Sequence, residues 1–360
     1  MPGLFDDFRL KSVTLRNRIA VSPMCQYSAD DGMPNDWHLV HLGARAVGGA
    51  GLVCVEATGV TPAGRITPGC TGIWSDAHGH AFARIAKFVK LHGAVPGIQL
   101  AHAGRKASAE RPWDGDAHIP PEHGGWETLA PSAVAFGGNL PIVPKAMTKA
   151  DIVATSRAFA DAARRALDAG FEWLELHFAH GYLAHSFFSP LSNFRTDEYG
   201  GSLANRARFL TETLAAVRDV WPDRLPLTAR LSVEDYAAGG VTLDDSIALA
   251  KLLKAGGLDL IDVSMGFNVP DVSGIPWSPG FLAPASERLR REAGIATSVG
   301  WLVLEAQQAD DIVSRGQADV VMLAREMLRD PHWPYHAALA LGRDKPHGLL
   351  PVQYARAARR

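Results

Sequence analysis

The chain has 360 residues, 47% of them apolar and 21% charged, with a formal net charge of −2 at pH 7. That length admits two domains or one large α/β barrel with insertions. The near-neutral charge gives no reason to expect nucleic acid or an anionic membrane as a partner. No apolar run approaches the roughly 20 residues of a transmembrane helix. Met1 to Asp7 carries neither a basic leader nor an apolar signal core. Cys25, Cys54 and Cys70 are odd in number, far apart and without a Cys-x-x-Cys spacing. This argues against a disulfide framework, structural zinc or an iron–sulfur cluster, and fits a reducing cytoplasm.

Phe8 to Asn17 alternates weakly and is expected to form a small hairpin ahead of the main fold. A repeated grammar follows, in which an amphipathic run leads through a glycine into a short apolar β-type run. Gly49/Gly51 leads into Leu52–Glu56, Gly93 into Val95–Gln99, and Gly170 into Trp173–His177. Gly256/Gly257 leads into Leu258–Val263, Gly294 into Ile295–Ser298, and Gly316 into Val320–Leu323. A glycine just past a helix end is the left-handed cap that lets the chain turn back along a sheet. Arg18–Ser22 and Leu225–Arg230 read as strands without that signal.

Helix-length segments lie between: Trp37–Val47, Asp76–His92, Lys149–Ala169, Leu203–Val220, Leu243–Ala255, Ala283–Ala293, Leu302–Arg315 and His332–Leu341. Alternating β/α units with strands apolar along most of their length indicate a parallel sheet buried on both faces. The expectation is a single α/β domain over residues 1–360, a (β/α)₈ TIM barrel, with an open doubly wound sheet as the alternative. Residues 105–147 break the rhythm. This stretch is rich in Pro, Gly, His and Trp and lacks a periodic helix. As an extended insertion after the third barrel strand it is expected to cap the C-terminal mouth, where a long irregular excursion is usually functional.

Polar or reactive side chains follow the ends of these strands. The first ends Pro23-Met24-Cys25-Gln26-Tyr27, the second Glu56-Ala57-Thr58, and the third Gln99-Leu-Ala-His102. The fourth leads to His177, His180 and Tyr182, and the fifth ends in Arg230. Gly300-Trp301 follows the seventh, and Ala324-Arg325 the eighth. Singly each has a structural explanation: Cys25 as a small buried hydrophobe, a histidine as a hydrogen-bonded structural side chain, Trp301 as core. Their convergence at one mouth is what points to a site. His-x-x-His raises zinc, but Glu56 is the one acidic group near a strand end, so no metal is expected. Arg230 on an inner strand face needs a negative partner. Gln99 offers a donor and an acceptor to a ring edge carrying C=O and N–H. A flavin meets both requirements, and the loops after strands seven and eight are this fold's usual phosphate site. Gly49 to Cys54 fails the dinucleotide-binding glycine pattern and precedes a strand instead of following one.

Pro-Met-Cys25-Gln-Tyr27, Gln99-Leu-Ala-His-Ala-Gly-Arg105-Lys, His177-Phe-Ala-His180-Gly-Tyr182-Leu, Ser189 through Gly201-Ser and Asn205-Arg206 together resemble the old yellow enzyme family. The nearest likeness is to its xenobiotic-reductase and thermophilic-like branch, over essentially the whole chain. The resemblance implies an FMN-containing barrel ene-reductase, an NADPH dehydrogenase taking hydride from NADPH or NADH. Pro23, Met24, Cys25 and Ala57 would then lie against the flavin, with Gln99 and Arg230 on its ring. Gly300, Ala324 and Arg325 would meet its phosphate; Ala324 stands where the family carries glycine. His177 and His180 would bind the substrate's activating oxygen, Tyr182 would deliver the proton, Tyr27 would line the pocket and Trp301 would cover it. The implied cycle is ping-pong: reduced flavin passes hydride to an electron-poor alkene or nitro compound after the nicotinamide has left. The tail from about residue 345 to 360 resembles one that reaches a neighbouring subunit. Arg356 is then a dimer-contributed substrate contact or, with Arg359 and Arg360, part of a solvated basic end. Other FMN barrels (dihydroorotate dehydrogenase-like or dihydrouridine synthase-like, with Cys25 as the acid) and a zinc-dependent barrel hydrolase or lyase remain alternatives.

Overall fold

A computed structural model describes residues 2–358; Arg359 and Arg360 lie outside the described residues. The chain opens with an antiparallel hairpin, β1 (Phe8–Leu10) on β2 (Val13–Leu15), with Phe8 opposite Leu15. Val13 and Leu15 are buried while Thr14 between them is exposed, the alternation of a strand with one face on a core.

Then come β3 (Ile19–Val21), α1 (Asp36–Val47), β4 (Leu52–Gly59), α2 (Asp76–Leu91) and β5 (Val95–Ala101). The insertion holds β6 (Leu129–Ala130) and β7 (Lys145–Ala146), a short parallel pair. The chain continues with α3 (Lys149–Asp168), β8 (Trp173–Phe178), α4 (Leu183–Phe188), α5 (Leu203–Arg218), β9 (Leu227–Ser232), α6 (Leu243–Ala255) and β10 (Leu260–Ser264). It ends with α7 (Ala283–Ala293), β11 (Ala296–Val299), α8 (Ala306–Ser314), β12 (Val320–Leu323), α9 (Arg325–Arg329), α10 (Trp333–Ala340) and α11 (Val352–Ala355).

Strands β3, β4, β5, β8, β9, β10, β11 and β12 pair in that order, all parallel. The barrel closes where Val321 of β12 lies opposite Ile19 of β3. Every residue of β4, β5, β8, β9 and β10 is buried. Side chains inside and helices outside leave these strands no wet face, which is why they read as apolar runs. The expected barrel is therefore the observed one, and the open sheet is excluded by closure. Helix starts follow local chemistry. Thr148 with Asp151, and Thr242 with Asp245, form reciprocal capping boxes at α3 and α6. The glycines of the helix-to-strand turns adopt positive φ, +92° at Gly170 and +62° at Gly294.

One expected helix starts late. Leu302–Arg315 is helical only from Ala306, because Trp301 and Leu302 take left-handed φ values of +60° and +54°. Consecutive left-handed residues cannot begin a right-handed helix. Helices α4, α9 and α11 are additions to the sequence reading.

The insertion is strapped to the barrel by two arginines. Arg105 donates to the carbonyls of Val134 (3.3 Å), Ala135 (3.2 Å) and Asn268 (2.6 Å). Arg195 donates to those of Pro131 (3.0 Å) and Met147 (2.6 Å), and pairs in fork geometry with Asp197 at 2.9 and 2.6 Å. Arg195→Ala leaves two carbonyls without their donor, a loss of about 1–3 kcal/mol. The expected outcome is faster amide hydrogen exchange across residues 129–147 with barrel strands unchanged; uniform acceleration throughout the chain would contradict it.

Candidate functional site

A cavity of about 300 Å³ opens at the C-terminal mouth. Pro23, Cys25, Ala57, Gln99, His177, His180, Tyr182, Arg230, Gly300, Trp301, Ala324 and Arg325 all line it. Three expected residues stand elsewhere. Met24 packs against the hydrophobic core. Tyr27 lines a second, outer chamber, which meets the first at Tyr182. Arg356 is exposed at the C-terminal end of α11 and lines neither.

The floor is built by strand register. A bulge in β4 skips Glu56, so that Val55 faces Ile98 and Ala57 faces Gln99. The extra residue re-aims the strand end: Ala57 enters the cavity while Glu56 points away and accepts the Gln26 N–H at 2.9 Å. That bond anchors the loop carrying Cys25. Burial raises the Glu56 carboxyl to about 8.

Gln99 Nε2 donates to Glu175 Oε1 at 2.7 Å, which orients the amide with its carbonyl oxygen left for the cavity it lines. Arg230 and Asp262 are cross-strand partners, Nε 3.1 Å from Oδ2, yet neither atom has an aligned hydrogen bond. The other recorded guanidinium contact is a long 3.4 Å one from Nη1 to Ser22 Oγ. The negative partner that the sequence assigns to a ligand is thus first an aspartate. Unsatisfied guanidinium donors still border the cavity and suit an acceptor edge. Burial, then Asp262, raises Glu175 to about 8, and burial raises Asp262 against the pull of Arg230. A protonated Glu175 leaves one carboxylate against one guanidinium beneath the site.

The wall is the exit of β8. His180 and Gly181 take φ values of +60° and +71°. A Cβ on Gly181 would sit 2.2 Å from the Phe267 carbonyl oxygen, so only glycine fits this turn. His185 Nδ1 accepts the Gly181 N–H at 2.8 Å, and its Nε2 lies 3.0 Å from Asp235 Oδ1. Asp235 Oδ2 in turn accepts from Ser189 Oγ (2.6 Å) and the Val241 N–H (2.8 Å). The turn delivers three rings edge to face: His177 lies 5.1 Å from His180 and 5.0 Å from Tyr182. His177 Nδ1 accepts the Ala179 N–H at 3.3 Å, so its proton sits on Nε2. Burial, then Arg230, holds both imidazoles well below the usual histidine range, and burial raises the Tyr182 phenol well above its own. Burial likewise keeps the Cys25 thiol protonated. Neutral imidazole donors, a protonated phenol and a thiol follow.

Two groups escape the sequence reading. Lys106 donates to the carbonyls of His180 (2.9 Å) and Phe267 (3.3 Å) and lies 5.1 Å from the centre of the Tyr182 ring. Burial, helped by Arg105, lowers its ammonium to about 7. The sequence singles out nothing at the end of β10, where the structure places Ser264 within hydrogen-bond reach of His180 and Trp301. Position at the end of a barrel strand is the signal that marks it. Trp301 stacks on Phe267 at 5.5 Å and lines the cavity.

The rim brings together Gly300, Ala324 and Arg325. A Cβ on Gly300 would lie 2.5 Å from the Met322 carbonyl oxygen, so strand packing requires glycine there. Ala324 sits at φ −113°, outside the left-handed region that favours glycine. Arg325 opens α9 on the cavity edge, exposed and without a side-chain hydrogen bond among the described residues. A flat ring with polar edges and an anionic tail therefore matches this donor set: Gln99 and Arg230 below, Arg325 at the rim.

Comparison with known proteins agrees. The family model described as NADH:flavin oxidoreductase / NADH oxidase matches residues 3–343. An NADPH dehydrogenase of Geobacillus thermodenitrificans is 48% identical over 355 residues, covering 98% of each chain. One from Halalkalibacterium halodurans is 46% identical over 341 residues, 94% of this chain and 95% of that one. Among solved structures, morphinone reductase in complex with tetrahydroNAD has a TM-score of 0.80 at 26% identity, covering 98% of this chain and 95% of that one. The old yellow enzyme homologue of Zymomonas mobilis has a TM-score of 0.77 at 27% identity, covering 92% and 91%.

Because both imidazoles are held neutral well below pH 6.5, no histidine charge appears in the cavity as the pH falls toward 6. The ¹⁵N shifts of the His177 and His180 rings are expected not to titrate between roughly pH 6 and 8, the range in which Lys106 and Glu175 do. A titration of either ring centred near the ordinary histidine value would overturn the neutral assignment.

Proposed function

Since the chain belongs to the NADH:flavin oxidoreductase / NADH oxidase family, and is an enzyme that uses FMN and a nicotinamide coenzyme, we propose that it is an ene-reductase of the old yellow enzyme type. Its substrates are activated C=C compounds such as enones and maleimides, with nitro compounds as further acceptors. Family membership displaces the zinc hydrolase alternative. The observation that carries the proposal is one cavity holding a ring-binding floor, two neutral imidazoles and a protonated phenol.

Bound FMN supplies hydride-transfer chemistry that no side chain of this protein has. Gln99 and Arg230 would hold its polar ring edges, and Pro23, Met24, Cys25 and Ala57 would lie against the ring. Gly300, Ala324 and Arg325 would receive the phosphate. Trp301 covers the pocket and excludes water. His177, through Nε2–H, and His180 donate to the substrate's activating oxygen, where negative charge develops during reduction. Donors held in place beforehand stabilise that charge without reorganising. Tyr182 keeps its proton at neutral pH because burial disfavours phenolate, and it donates that proton from Oη to the α-carbon as general acid. Tyr27 lines the approach from the outer chamber.

The dihydroorotate dehydrogenase-like alternative needs an acid at Cys25, whereas Tyr182 has His177 beside it, their ring centres 5.0 Å apart. The protein acts as one domain over residues 1–360, with the insertion as cap. The assembly is a homodimer or is built from dimers. The exposed tail helix α11 holds Arg356 away from its own cavity, which supports delivery to a neighbour's site. Three free cysteines fit a cytoplasmic setting.

A general acid is worth about 10²–10⁴-fold. Tyr182→Phe is therefore expected to slow the reaction of the reduced enzyme with 2-cyclohexenone by at least about 10², while reduction by NADPH changes little. Stopped-flow measurement of the two half-reactions checks this; equal losses in both would remove the donor role.

A further inference from the structure

Ser264 ends β10, fully buried, and its hydroxyl joins two members of the site. Its Oγ lies 2.5 Å from His180 Nε2 and 2.8 Å from Trp301 Nε1. Beside it on β9, Ser232 is its register partner. Ser232 Oγ accepts the backbone N–H of His180 at 2.9 Å and donates to the Gly266 carbonyl at 3.1 Å. One serine thus grips His180 by its main chain and the other by its ring.

The hydrogens can be assigned by counting. An indole N–H only donates, so the Ser264 oxygen accepts from Trp301. The Ser264 hydrogen then needs an acceptor. Among the described residues, the one recorded partner able to accept it is His180 Nε2. Were Nε2 protonated, two N–H groups would converge on one oxygen and the hydroxyl hydrogen would be buried unpaired. Leaving a buried donor unsatisfied is the more costly arrangement.

We propose that Ser264 is a positioning residue that fixes neutral His180 as the Nδ1–H tautomer. Nδ1–H then faces the cavity as the second donor to the activating oxygen, beside His177 Nε2–H. The proposal rests on the reading of His180 as a ligand to that oxygen. The same hydroxyl ties the covering Trp301 to the tautomer, so Ser264 links the lid residue to the donor pair. Without Ser264 the proton is free to move to Nε2, and Nδ1 presents a lone pair to the ligand's oxygen.

The test uses holoenzyme labelled with ¹⁵N-histidine, the His180 signals being those lost in His180→Gln. Nitrogen shifts are expected to show Nδ1–H in the natural enzyme; Nε2–H there overturns the proposal. In parallel, p-hydroxybenzaldehyde is titrated through its charge-transfer band. Ser264→Ala is expected to raise its Kd about tenfold, or about 1.4 kcal/mol. Ser264→Thr, which keeps the hydroxyl, is expected to stay near the natural value. Equal weakening by Thr and Ala rejects the hydroxyl as the cause. An unchanged Kd in Ser264→Ala beside a raised one in His180→Ala overturns the Ser264 assignment alone. An unchanged Kd in His180→Ala overturns the reading of the site and this assignment with it.

Discussion

The left-handed turn at His180 and Gly181 is the constraint on which the mouth of the barrel depends. A parallel strand projects successive side chains to opposite faces, so His177 and His180 cannot meet unless the backbone leaves the β conformation between them. A histidine at positive φ is locally unfavourable, by an amount on the order of 1 kcal/mol. Hydrogen bonds on every side hold it there: Ser232 to the His180 N–H, Lys106 to its carbonyl, and His185 to the Gly181 N–H. The last of these is backed by Asp235, so the turn is held from α4 and from the loop after β9 at once. Each tie comes from a different segment of the chain. The three rings are therefore placed by the barrel as a whole and not by their own loop.

Charge beneath the site follows a similar logic. Arg230, Asp262 and Glu175 are buried within one patch of barrel interior, and a full complement of charges there would leave a net negative floor. Burial raises both carboxyls, and Glu175 holds its proton near neutral pH. The guanidinium keeps one compensating carboxylate and spare donors. A floor that is close to neutral yet rich in donors can accept an electron-rich ring without first expelling a counter-ion.

The barrel and most of the site were legible because both leave local marks. Short apolar runs after glycine locate the strands, and the reactive residues lie just beyond the strand ends, so counting along the chain finds them. What escaped was set by partners distant in sequence. Ser264 resembles any buried serine until His180, 84 positions away, is brought to it. Asp262 lies inside an apolar run that reads as core, and its significance appears only with Arg230 opposite on β9. The end of the β4 bulge was found as Ala57, but the reason it enters the cavity is a skipped residue, which no alternation pattern announces. The insertion lacked periodicity because its order comes from Arg105 and Arg195 grasping backbone carbonyls. Those acceptors exist at every residue and carry no signature.

The strapping of the insertion has an evolutionary corollary. Its anchors clasp main-chain oxygens near Pro131, Val134 and Met147. Arg111 and Trp113 hold Tyr27, whereas Pro112 and residues 114–116 and 121–124 are solvent-facing. Side chains in those outer stretches can be exchanged without loosening the clasp or shifting the hydride acceptor's berth. The outer chamber, walled partly by Pro112, Asp116 and Phe136, is thus a replaceable vestibule on a fixed engine. Relatives with this barrel are free to diverge in the compounds they admit while sharing one chemistry.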